Sequence, residues 1–324
     1  MLYGKPMVLR YEQVELFSRE EYLRRQALLR EAMRASEVDL LLVLNASNDA
    51  YDQWLTGQRL LSELIVPARG DILGILLAEY DPEGALLPIG PAPDGRRSLY
   101  RRFERASAPG TVLLDAMTAG QLASRVADHR PKRLGLVHPD AMTFRQREAL
   151  LAALPGVEWV DLTKQIAVKK VVKSAEEIVA IHVSNGIHER IMQAMPQVLR
   201  QGRTVFDIQN EITDMLHQLG SGNTLVHHWI IMPGDQTGES DPGVTMERYP
   251  GYRLKAGDRA MVLLESNGPG GHHVAIARHF TLGPACETYR KIVDVAARAQ
   301  AYAASQMKPG ETLRAIAGRT RAFI

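Results

Sequence analysis

Cysteine is almost missing from the 324 residues. Cys286 stands alone, which excludes a disulfide framework within the chain and any thiolate metal cluster. A lone thiol suits a reducing compartment, so a cytoplasmic location is expected. Long apolar runs are missing too: no stretch approaches the roughly 20 residues that a bilayer-spanning helix needs. Charge of one sign is not in excess either, since 39 Lys plus Arg against 37 Asp plus Glu leave a formal net charge of +2. Binding to nucleic acid or to an anionic membrane calls for a basic surface, and neither is the expected partner. A small-molecule substrate is. The N-terminal stretch MLYGKPMVLRYEQVELFSREEY also lacks the basic, then apolar, then small-residue order of an export signal.

What is present suffices for two domains, with 45% hydrophobic and 23% charged residues. Ser18 stands three residues before Glu21, the spacing of a capping box, and Tyr22, Leu29 and Met33 then form one stripe of a helix. Asp39 leads into LLLVL, short and apolar enough for a strand covered on both faces. Further strands are expected at 71–79, 111–115, 134–138 and 157–162, with helices near 121–127 and 144–154, an alternation that defines an α/β domain over residues 1–165. Lys169, Lys170 and Lys173 read as a solvated linker face. Ser174 and Glu177 then repeat the capping spacing and open a long helix, followed by a second helix from Thr204 to Leu219 that Gly220 closes. Strands are expected at 223–232, 258–265 and 273–282, then a helix near 289–307. Helices first and an antiparallel meander afterwards make residues 166–324 an α+β domain. The last two strands join through Gly268, Pro269, Gly270 and Gly271, suited to a tight turn.

These segments resemble a known family. EYLRRQALLREAMRASEVDLLLVL, VVKSAEEIVAIHVSNGIHERIM, RLKAGD, GHHVAIARHFTLG and QMKPGETLRAIA occur in the order found in creatinases, prolidases and aminopeptidases P. The resemblance implies a small N-terminal α/β domain, a C-terminal pita-bread domain, a homodimer, and hydrolysis of a C–N bond, usually next to proline or at a chain's amino end, in a proline-containing, dipeptide-like or other small amino-acid-derived substrate. Most members use two metal ions held by two aspartates, a histidine and two glutamates, whereas creatinase uses none. On this resemblance the first aspartate falls on Glu265 and the second on Ala275, which offers a metal no lone pair. The catalytic histidine falls near Asp241. The histidine and glutamates of the later part of the domain have no counterpart up to Ile324, so the pita-bread is expected to be incomplete.

The residues themselves leave several roles open. A carboxylate in the apolar run ending at Glu265 needs a use: it either anchors an ammonium or guanidinium of the substrate or pairs across the hairpin with Arg278, which alternates with Val274, Ile276 and Phe280. Arg278 would otherwise orient a substrate carboxylate. His227, His228, His272, His273 and His279 are the titratable groups nearest neutrality. Of these, His272 and His273 are expected to serve as general acid or base and His228 to bind substrate, together with Asp241 from the acidic loop PGDQTGESDPG. No HExxH or EF-hand spacing occurs, and no metal is expected, zinc or manganese being the alternative. Cys286 is taken as structural. The expected activity is a metal-independent C–N hydrolase, the alternative a degenerate, non-catalytic binding module, and the last choice a metal-dependent aminopeptidase or dipeptidase.

Overall fold

The computed structural model describes residues 17–46, 50–57, 61–76, 78–80, 86–88, 108–114, 117–219, 221, 225–232 and 250–324. They form two compact units. The first takes Met1–Ile187 together with His217–Leu225 and Ser266–Val274; the second takes His188–Leu216, Val226–Glu265 and Ala275–Ile324. The change of sequence character near residue 165 therefore falls inside the first unit.

The first unit is built on a mixed six-stranded sheet in the order β6-β3-β2-β1-β7-β8. Its strands are β1 (Leu40–Leu44), β2 (Leu61–Pro67), β3 (Ile72–Leu76), β6 (Thr111–Leu114), β7 (Arg133–Val137) and β8 (Glu158–Asp161); β4 (Ala78–Tyr80) and β5 (Leu86–Pro88) pair separately. β1, β7 and β8 run parallel, while β2 is antiparallel to β1. All five residues of β1 are buried, because both faces are covered. Leu41 and Val43 belong to a core with α1 (Arg19–Ala35), α2 (Tyr51–Thr56) and α5 (Thr163–Lys169). Leu40, Leu42 and Leu44 belong to a second core with α3 (Ala119–Asp128) and α4 (Phe144–Ala153). This is the α/β layering that the alternation of elements predicts.

α6 (Ala175–Val198) runs from the first unit into the second. α7 (Val205–Gln218), of the second unit up to Leu216, buries Val205, Ile208, Ile212, Met215 and Leu216, a helical stripe. Backbone bonds from Gly202 to Leu254, Leu254 to Arg203 and Val205 to Tyr252 lock its N-terminal end to the RLKAGD turn. In that turn buried Asp258 accepts the Lys255 N–H at 2.8 Å and the Tyr252 hydroxyl at 3.1 Å. A three-stranded sheet, β9 (Leu225–Met232), β10 (Arg259–Asn267) and β11 (His273–Thr281), has β10 in the centre. α8 (Glu287–Ser305) and α9 (Leu313–Phe323) follow.

Candidate functional site

The β10–β11 hairpin carries most of the residues that the sequence singles out. Its register follows from the bonds that bracket it, Gly268 N–H to His272 C=O at the tip and Leu282 N–H to Asp258 C=O at the base. With nine residues in each strand, these bonds set Ala275 opposite Glu265 and Val262 opposite Arg278. Side chains alternate between faces along a strand. Ala260, Val262 and Leu264 are buried, while Met261, Leu263 and Glu265 are only partly so. Glu265 thus lies on the wetter face and is half-buried, not enclosed in an apolar core.

The expected ion pair between Glu265 and Arg278 does not form. The two differ in parity, so they project from opposite faces of the hairpin, and Arg278 is exposed, its guanidinium donating to the Ala277 carbonyl at 2.7 Å. The register also bears on metal. Where the resemblance calls for two acids, the hairpin offers Glu265 and the Ala275 methyl, which does not fit a bridged metal pair. Among the described residues no three His, Cys, Asp or Glu side chains are grouped to hold a metal ion.

The two adjacent histidines have different surroundings. His273 is exposed. His272 belongs to the first unit, where its ring meets Phe17 edge-on at 6.2 Å and its Nε2 lies 3.8 Å from Glu177 Oε1. Burial pushes its pKa down to about 4, against the upward pull of Glu177 and helped by Arg25, Lys173 and Lys170. His272 is therefore neutral at pH 7, and its approach to Glu177 is not an ion pair. It lacks the near-neutral pKa that suits a general acid or base.

Glu177 is the centre of this pocket, and it is 1% exposed. One oxygen accepts the Trp54 indole N–H at 2.9 Å; the other accepts the Ser174 N–H at 2.8 Å and Arg24 Nη2 at 3.0 Å. Arg25 is fully buried: it donates to Glu21 at 2.7 Å and to the Trp54 carbonyl at 3.1 Å, and stacks on the Phe17 ring at 3.8 Å. Burial alone would raise the pKa of Glu21, but hydrogen bonds from Arg24 and Arg25 hold it at about 2. The glycines of the turn let the hairpin tip approach this pocket. At Gly268 a Cβ would stand 2.2 Å from Ser184 Oγ, and at Gly271, with φ of +77°, 2.6 Å from the Ala50 Cβ. The sequence shows Glu177 only as a helix cap; a capping spacing gives no sign that the same carboxylate receives Trp54.

The remaining candidates are dispersed. His279 Nδ1 lies 2.9 Å from the Tyr289 hydroxyl in the second unit. His227 and His228 fall on β9, and Asp241, with Asp235 and Glu239, falls outside the described residues. Cys286 is exposed at the N-terminal cap of α8.

An α/β unit followed by helices and an antiparallel hairpin is the fold that the sequence resemblance implies. Residues 180–324 match the model of metallopeptidase family M24, the family that the sequence motifs indicate. Among solved structures, the Xaa-Pro dipeptidase from Bacillus anthracis superposes with a TM-score of 0.69 at 16% identity, over 94% of this chain and 77% of that one. The prolidase from Pyrococcus horikoshii OT3 gives 0.68 at 14%, over 93% and 77%. The N-terminal domain of the FACT complex subunit SPT16 from chickpea, Cicer arietinum, gives 0.58 at 11%, over 94% and 76%. Comparison with curated proteins returned no match.

Proposed function

We propose that the protein is a peptidase-type C–N hydrolase of dipeptide-like or other small amino-acid-derived substrates, working without a bridged metal pair. The match of residues 180–324 to a metallopeptidase family supports the reaction class. The observation that carries the metal-independent reading is the hairpin register, which sets Ala275 opposite the one acid, Glu265. In this reading Glu265 anchors a cationic group of the substrate. Of the two adjacent histidines, exposed His273 is the candidate general acid or base, and His272 supports the hairpin tip from its partly buried position. Arg278, Asp241 and His228 are assigned to substrate binding outside the Glu265 contact.

Metal content by mass spectrometry on protein purified without chelator, followed by assay of an Xaa-Pro dipeptide panel with and without chelator, tests the reading. We expect less than stoichiometric metal and turnover that chelator leaves unchanged. Stoichiometric manganese or zinc with chelator-sensitive turnover would overturn metal independence while keeping the hydrolase. The Ala275 substitution also favours a second reading, a binding module that has kept the fold and lost the chemistry; absence of turnover across the panel at every metal added, from a folded protein, would select it.

A further inference from the structure

A crevice in the first unit is used by neither the hairpin nor the family resemblance. It has a volume of about 330 Å³ and is lined by Asn45, His138, Asp140, Ala141, Asp161 and Thr163. Its place follows from topology. After β1 the chain proceeds to β2 on one side of the sheet, and after β7 to β8 on the other. The two connections diverge beyond the carboxyl ends of the paired strands β1 and β7. In open α/β sheets such a switch point leaves a gap, and that gap is the usual place for a ligand.

The backbone and the side chains shape this gap. Asn45 and His138, at the exits of β1 and β7, have φ of 48° and 57°, a left-handed conformation that few non-glycine residues adopt. Thr163 joins the exits of β7 and β8: it accepts the His138 N–H at 2.9 Å and donates its hydroxyl to Asp161 at 2.6 Å. The His138 ring rests edge-on against Tyr51 at 5.6 Å. Two aspartates, an asparagine, a histidine and a threonine thus line a space to which, among the described residues, no lysine or arginine contributes. An anion is disfavoured there. A bare metal ion is disfavoured as well, because no three of the described acidic or imidazole groups converge on one point. An ammonium needs fewer anionic groups than a metal ion: one or two carboxylates, with an amide or hydroxyl oxygen, can accept its three N–H donors. The volume is at the small end of small-molecule sites.

We propose that this crevice binds a small organic amine that carries no carboxylate of its own, such as an amino alcohol or an amino-acid amide. Asp140 and Asp161 hold the ammonium, and Asn45 meets the polar group at the other end. A free amino acid is excluded because its carboxylate would face the two aspartates. The site is independent of the hydrolase reading.

The test is titration of the full chain with glycinamide and with ethanolamine, followed by calorimetry and by amide NMR. Acetamide, which lacks the charge, and glycine, which adds a carboxylate, are the controls. Saturable shifts are expected at the amides of Asn45, His138 and Thr163, with both controls at least tenfold weaker and Asp140→Asn tenfold weaker for glycinamide. Asp161→Asn also disturbs the hydrogen bonds to Thr163, so Ala141→Phe serves as the second variant: it fills the crevice and should abolish binding while the rest of the spectrum is unchanged. Absence of saturable shifts, equal binding of acetamide, or full binding by both Asp140→Asn and Ala141→Phe would overturn the proposal. Local broadening of the same amides by manganese at stoichiometric levels would overturn it too, by giving the crevice to a metal.

Discussion

Glu177 satisfies three donors with two oxygens, and it lies 3.7 Å from the guanidinium of fully buried Arg25. Glu177→Ala would strand that positive charge with Glu21 as its one remaining carboxylate in the pocket. Breaking a buried ionic network from one side costs ~3–5 kcal/mol, a loss readable as a lower midpoint in urea unfolding. Glu177→Gln keeps an acceptor for Trp54 and should lose less. His272 adds a pH dependence of definite sign. Its folded pKa of about 4 lies below the ordinary value of 6.5, so the unfolded chain binds the proton more readily. The stability that neutral His272 contributes is whole above 6.5 and is lost as the pH falls toward 4. Glu21, held at about 2 against an ordinary 4.5, contributes stability that is whole above 4.5 and is lost as the pH falls toward 2. Urea midpoints measured across the range should therefore decline in two stages, and His272→Phe should flatten the upper stage alone. Glu265 is a contrasting case, since it sits half-buried on the wetter hairpin face. Glu265→Ala should leave the unfolding free energy within about 0.5 kcal/mol of the parent, as surface changes do, while lowering turnover of cationic substrates.

At the scale of elements the glycine turn is the most exacting feature. Gly268→Ala places a methyl within 2.2 Å of Ser184 Oγ and 2.9 Å of its Cα. The side chain can rotate but the backbone cannot, so a loss of ~1–3 kcal/mol is expected from overpacking, measurable as a lower thermal midpoint. Elements with a strong local signal were legible in the sequence. LLLVL announced a doubly covered strand, and the Ser174 and Glu177 pair forms both arms of its capping box, Glu177 N–H to Ser174 Oγ and Ser174 N–H to Glu177. Ser18 shows the limit. Its hydroxyl accepts the Glu21 N–H, but Glu21 turns to Arg24 and Arg25, and the Ser18 N–H is taken by Glu176 from 158 residues away. No local pattern encodes such a partner. β2 was missed for a related reason: Glu63 interrupts its apolar run, and what makes a carboxylate tolerable there is the side chain of Gln146 from α4, donating at 2.7 Å. The Arg278 ion pair failed on parity, which the sequence alone fixes only once the turn is known. Asn and His adopt the left-handed region more readily than most residues, but that tendency is too weak to locate the exits at Asn45 and His138, and with them the crevice, from sequence.

For the whole molecule, the family resemblance leads us to expect a homodimer. Light scattering on a size-exclusion peak should return twice the 36.0 kDa of the chain, and a monomer at micromolar concentration would remove that expectation. A second property follows from the composition of the first unit, which recruits residues 266–274 long after its own sheet is finished. While the chain is being synthesised, α1, α2 and the start of α6 can assemble around Glu177 and Arg25, yet Phe17 and Ala50 wait for the glycine tip that packs on them. At 5–20 residues per second the interval between residue 187 and residue 274 lasts on the order of ten seconds. Through that interval Phe17 and Ala50 lack the glycine tip that packs on them in the folded chain, so completion of this core is tied to synthesis of a segment far downstream of residue 187.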